Sequence, residues 1–81
     1  MNTRVALLGI IAESVDASEK INEILHEYQE YIVGRMGVPY RSRDMFIISV
    51  IVDAPEDVIS AISGKMGMVE SVTAKAIYSK A

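Results

Sequence analysis

MFIISVIV, residues 45–52, is apolar at every position except Ser49. A run without polar alternation fits a strand in the middle of a sheet, with non-polar surroundings on both faces. VALLGIIA, residues 5–12, reads the same way. Two such segments in one short chain predict a shared sheet with these two strands at its centre. The rest of the chain arranges around them. Glu13 to Asp16 is a polar connection. A helix is expected from Ala17 to Glu30, with Asp16 as its N-cap and Glu19 completing a capping box. Ile21, Ile24, Leu25 and Tyr28 fall at i, i+3, i+4 and i+7 and form one apolar stripe, while Glu19, Glu23, His26 and Glu30 lie opposite.

YIVGRMGVP, residues 31–39, reads as a second strand. Gly34, Gly37 and Pro39 place it at a sheet edge, because proline cannot donate to a ladder. Tyr40 to Asp44 is its turn into the 45–52 strand. Beyond Val52, Asp53 to Asp57 opens a second helix, with Pro55 in the first turn and acids where the macrodipole favours them. Val58, Ala61 and Ile62 supply the inward stripe, and Gly67 is the expected left-handed C-cap after Lys65. The last strand starts at Val69 or Glu70 and runs to Tyr78, with Val72, Ala74, Ala76 and Tyr78 alternating against Ser71, Thr73 and Lys75.

Strand, helix, strand, strand, helix, strand with short links is the split βαβ arrangement. Right-handed crossovers then predict an α+β, ferredoxin-like βαββαβ sandwich with antiparallel sheet order 4-1-3-2 and both helices on one face. The 81 residues accommodate one domain, 1–81, which on folding removes about 60% of its chain surface from water. Because only one sheet face is covered, the two central strands divide. Phe46, Ile48, Val50 and Val52 are assigned to the helix-covered core, and Met45, Ile47, Ser49 and Ile51 to the open face. A one-residue slip would exchange the sets. An open face lined with isoleucine implies a partner, and a homo-oligomer, dimer or tetramer, is expected through it.

Composition narrows the function classes. The chain contains no cysteine, which excludes disulfides, zinc ribbons and thiol catalysis. A net charge of −3 argues against a surface built mainly for phosphates, since nucleic-acid affinity rests on many lysine and arginine contacts. The apolar run from Val5 is too short to span a bilayer and is followed by Glu13 and Asp16, so it reads as a strand and not as a signal or anchor. A cytoplasmic protein with no membrane partner is the expectation.

Few residues offer chemistry. His26 is the one histidine, near Asn22, Glu23 and Glu30 on the helix, and without cysteine it is a poor transition-metal set. No metal, no cofactor and no catalytic residue is expected. Any Ser-His-acid triad would have to use this one imidazole. Gly64-Lys65-Met66-Gly67 lies at a helix C-terminus, where the dipole repels anions, and reads as a helix stop rather than a phosphate loop. Arg35, Tyr40, Arg41 and Arg43 gather around one edge strand and its turn in an otherwise acidic chain. Their guanidinium groups suit a carboxylate or phosphate, so this set is the candidate effector site. Charged hairpins also serve simply to blunt an edge.

Arg35-Met36-Gly37-Val38-Pro39-Tyr40-Arg41 and Ser63-Gly64-Lys65-Met66-Gly67 resemble the two signature segments of the iron-only hydrogenase system regulators, short proteins similar to the sensor domain of nickel-responsive repressors and to ACT domains. The likeness runs from the first strand through Ile77. It implies a ferredoxin-like, non-enzymatic regulator of transcription in a hydrogenase-type system, acting through a small anionic effector or a protein partner. It does not carry over nickel sensing, which uses several histidines and a cysteine. It gives no basis for direct operator binding either, because the sensor-like fold here begins by Val5. Amino-acid-binding ACT domains place an Asp-x-x-Gly turn after the first strand, and Glu13-Ser14-Val15-Asp16 has no glycine. Two alternatives stay open: a small ferredoxin-like enzyme, and direct nucleic-acid binding through the basic hairpin.

Overall fold

The computed structural model describes residues 2–80. Its strands are β1 (Arg4–Ala12), β2 (Ile32–Tyr40), β3 (Met45–Ala54) and β4 (Val72–Tyr78), and its helices α1 (Ser18–Glu27) and α2 (Glu56–Gly67). The order β2-β3-β1-β4 is the expected 4-1-3-2, antiparallel throughout, with β1 and β3 central and β2 at an edge. No helix among the described residues is long and apolar enough to cross a membrane.

Burial along the central strands alternates strictly. Ala6, Leu8, Ile10 and Ala12 of β1 and Phe46, Ile48, Val50, Val52 and Ala54 of β3 are buried, whereas Val5, Leu7, Ile11, Ile47 and Ile51 are exposed. The register explains this, since Leu8 faces Val50 and Ile10 faces Ile48 on one side of the sheet, and Leu7 faces Ile51 and Ile11 faces Ile47 on the other. The continuous apolar runs are therefore buried on one face only in the protomer. Ile21 and Leu25 from α1 and Ile59, Ile62 and Met66 from α2 complete the core. Each fully buried aliphatic side chain contributes roughly 1.5–3 kcal/mol.

Several boundaries differ from the sequence reading. Ser14, not Asp16, caps the first helical segment: its Oγ accepts from the Asp16 N–H at 3.2 Å and starts a 3-10 turn over Val15–Ala17 that leads into α1. Glu19 completes no capping box there. The helix ends at Glu27, and a second 3-10 turn over Gln29–Tyr31 lets Tyr28 and Tyr31 pack against the core. On α2, Ala61 is exposed and Ile59 takes its place in the stripe Ile59, Ile62, Met66, the i, i+3, i+7 set. Gly67 does not take a left-handed conformation. The Met68 N–H bonds back to Lys65 and Met66, and the reversal falls on Ser71, at φ 69. The Ser71 carbonyl accepts from the Glu13 N–H at 2.9 Å, so a contact with the end of β1 holds this turn and delays β4 to Val72.

Arg4 ties three chain segments together. Its Nη1 donates to Glu56 Oε2 at 2.7 Å at the start of α2, and its Nη2 donates to the Ser79 carbonyl beyond β4. The guanidinium also lies 4.8 Å from the centre of the Tyr78 ring.

Gly37 has a packing reason. A Cβ there would come within 3.2 Å of Phe46 Cζ, so the missing side chain lets the Phe46 ring lie across the edge strand. Gly64 has none, since a Cβ would meet nothing within 4 Å. Gly64→Ala should therefore stabilise the protein by roughly 0.5–1 kcal/mol through the entropy of the unfolded chain. The melting midpoint by circular dichroism should rise by about 4–8 °C per kcal/mol for a domain this small. A lowered midpoint would instead mean that this side of α2 is covered in solution.

Candidate functional site

The arginine set does not converge. Arg35 pairs with Val50 in the register and so projects on the helix side of the sheet, where its Nη2 donates to Asn22 Oδ1 of α1. Tyr40 pairs with Met45 and projects on the open side. Arg41 and Arg43 stand exposed in a 3-10 turn between β2 and β3. The structure thus keeps Arg41 and Arg43 near one another at the hairpin tip and takes Arg35 away. Asp44, which the sequence reading passed over, fixes this tip: it adopts φ 51, and its Oδ1 accepts from the Val15 N–H at 3.2 Å, bridging the hairpin to the β1–α1 connection. An aspartate next to a turn tolerates the left-handed region better than most residues, and that is the one signal of this role in the sequence.

A groove of about 970 Å³ lies between α1 and the segment joining α2 to β4. Ala17, Ile24, Met68 and Val69 give it an apolar floor, and Lys20, Glu23, Glu27, Lys65 and Glu70 a charged rim. Lys65 spans it, donating to Glu27 Oε2 at 2.8 Å with its Nζ 5.1 Å from the centre of the Tyr28 ring. The hydrogen bond to Glu27, with a smaller one to Tyr28, holds the Lys65 pKa above its ordinary value. The groove is assembled from segments at least 38 residues apart, so no local pattern announces it. His26 is exposed on α1, and among the described residues no three His, Cys, Asp or Glu side chains come together as a metal site.

The open sheet face is the largest feature. Val5, Leu7 and Ile11 of β1, Ile47 and Ile51 of β3, Met36, Val38 and Tyr40 of β2 and Ile77 of β4 are all exposed on it, between 37% and 67% of the residue. Met45 and Ser49 are half-buried on the same face. Four strands about 4.8 Å apart and eight residues long at about 3.3 Å each give a projected area of roughly 500 Å². Side-chain relief brings this toward the roughly 800 Å² that each partner contributes to a standard-size interface.

A four-stranded antiparallel sheet in this order, with two helices on one face and an apolar second face, defines an α+β domain of the ferredoxin-like, ACT-like class. Within that class the chain belongs to the TM1266-like family, the iron-only hydrogenase system regulators, whose model matches residues 4–76. It is similar to the uncharacterised protein TM1266 of Thermotoga maritima, with 34% identity, 98% of this chain and 100% of that one covered, and a TM-score of 0.91. Two more distant solved structures share the fold alone. A formyltetrahydrofolate deformylase of Pseudomonas putida KT2440 matches 90% of this chain over 28% of its own length, at 14% identity and a TM-score of 0.66. CPII of Thiomonas intermedia K12, solved with ADP, AMP and acetate, matches 100% of this chain over 94% of its own, at 17% identity and a TM-score of 0.55. No curated protein matches the chain.

Proposed function

We propose that the chain is a non-enzymatic regulatory domain that contributes to transcriptional control of a hydrogenase-type system as a homo-oligomer joined through its open sheet face. The observation that carries this reading is the apolar face itself, because monomers in water rarely leave a contiguous patch of that size uncovered. Family membership supports the regulatory role. An enzyme would need titratable groups poised for chemistry in one cleft, whereas Lys65 and Glu27 in the groove are paired with one another and His26 is exposed on α1. Native mass spectrometry of the freshly purified protein should show a dimer or tetramer. A monomer at tens of micromolar, well above typical specific dissociation constants, would defeat the reading.

The Arg41 and Arg43 tip is the part of this domain suited to an acidic effector or protein partner. Titrated with a poly-glutamate peptide at low salt, the unmodified protein should bind, and Arg41→Ala with Arg43→Ala should bind several-fold more weakly. Exposed charges contribute little to stability, so the melting midpoint should not move. Equal affinity in the two proteins rejects the tip as the site. Binding to a DNA duplex instead, with steep salt dependence, would favour the nucleic-acid reading.

A further inference from the structure

We infer that Lys75, Gly9 and Ser49 form half of a binding site for a small oxyanion, completed when a second copy of this chain covers the sheet face; the inference rests on the homo-oligomer proposed above. Gly9 of β1 lies opposite Lys75 on one neighbouring strand and opposite Ser49 on the other, so the three share one cross-strand row on the open face. Opposed residues in antiparallel strands have their Cβ positions about 5 Å apart, which places an ammonium stem and a hydroxyl on the two flanks of the glycine. Above Gly9 there is room, since a Cβ there would meet nothing within 4 Å.

The rows on either side are apolar on the central strands: Leu7 with Ile51 precedes Gly9, and Ile11 with Ile47 follows it, while their β4 members are Ile77 and the hydroxyl-bearing Thr73. Lys75 has no ion-pair partner among the described residues. The acid on this face, Asp53, pairs with Val5 and stands four residues along the strand from the Gly9 row, about 13 Å away. A two-fold interface must be self-complementary. Slipping one sheet by two residues would set Ser49 against Ile47 or Ile51 and Lys75 against Thr73 or Ile77, where a buried polar group facing isoleucine loses its hydrogen bonds to water. Superposing the central rows about a two-fold that runs across the strands avoids this, since it stacks Lys75, Gly9 and Ser49 on their own copies; a two-fold along the strands would set Lys75 against Met36, the β2 member of the row.

Sheets stack about 10 Å apart, and Gly9 contributes no side chain to fill that space. The gap is bordered by the ammonium and hydroxyl groups of both copies, all able to donate. Two cations in a partly dehydrated interface call for a counter-charge, and a small tetrahedral or planar oxyanion accepts from every donor present.

Sedimentation of the full chain with and without inorganic phosphate, at ionic strength balanced by chloride, tests this. Phosphate bound between copies should lower the dimer dissociation constant about tenfold when present at ten times its own dissociation constant. Lys75→Met should lose that response, and so should Gly9→Val, which fills the gap. A dimer indifferent to phosphate, or a response that persists in both variants, overturns the inference and leaves the homo-oligomer standing. A chain that is monomeric at every phosphate concentration removes both.

Discussion

Ile47→Lys combined with Ile51→Lys is expected to convert the homo-oligomer to folded monomers. Both side chains lie on the open face, at 37% and 43% exposure, so an interface there still has a substantial part of each to bury. A fully exposed isoleucine gains roughly 1.5–3 kcal/mol on burial, so partial burial of these contributes about 1 kcal/mol apiece. In a two-fold interface each substitution acts twice. Four such losses amount to about 4 kcal/mol, close to a thousand-fold in dissociation constant, before the repulsion of the added charges. Sedimentation should show the monomer, and the far-UV circular dichroism should match the parent protein, because neither side chain touches the helix layer. A double variant that stays associated would place the interface elsewhere, with the outer groove and the edges of β2 and β4 as the next surfaces to test.

Ile48→Lys, one residue from Ile47, should abolish cooperative folding. Ile48 is 1% exposed and sits opposite Ile10 at the middle of the core. The substitution removes a buried isoleucine, which costs about 2–5 kcal/mol, and leaves an unpaired ammonium in the interior, which costs several more. A domain of this length has a total margin of only about 4–12 kcal/mol. A melt followed by circular dichroism should therefore show no native baseline at room temperature. The contrast between neighbours is the diagnostic part, because hydrophobicity and β-propensity are identical at the two positions and only the face differs. If Ile47→Lys unfolded the chain and Ile48→Lys merely dissociated it, the register in solution would be the reverse of that described above.

Much of this was legible in the chain. The two uninterrupted apolar segments, 5–12 and 45–52, identify the central strands, since strand neighbours on both sides favour β-branched residues at every position. Gly34, Gly37 and Pro39 mark β2 as an edge, and the order of elements then leaves one sheet order with right-handed crossovers. Even the division of β3 into Phe46, Ile48, Val50 and Val52 against Met45, Ile47, Ser49 and Ile51 follows from side-chain alternation and the lone serine. These are properties of short-range periodicity, and a linear sequence carries them directly.

What only the tertiary structure decided depends on partners distant in the chain. Gly67 has the composition of a helix cap, yet the reversal went to Ser71, because the Ser71 carbonyl meets the Glu13 N–H at the end of β1. Arg35 has the composition of a binding residue, yet the bulge between Ile32 and Gly34 sets its parity so that it reaches Asn22 on α1, away from Arg41 and Arg43. The groove spanned by Lys65 and Glu27 and the row of Lys75, Gly9 and Ser49 exist only once strands and helices far apart in sequence are set side by side. Periodicity says which face a residue takes within its own element. Which residues then meet across elements is set by register, and register is fixed by the packed core as a whole.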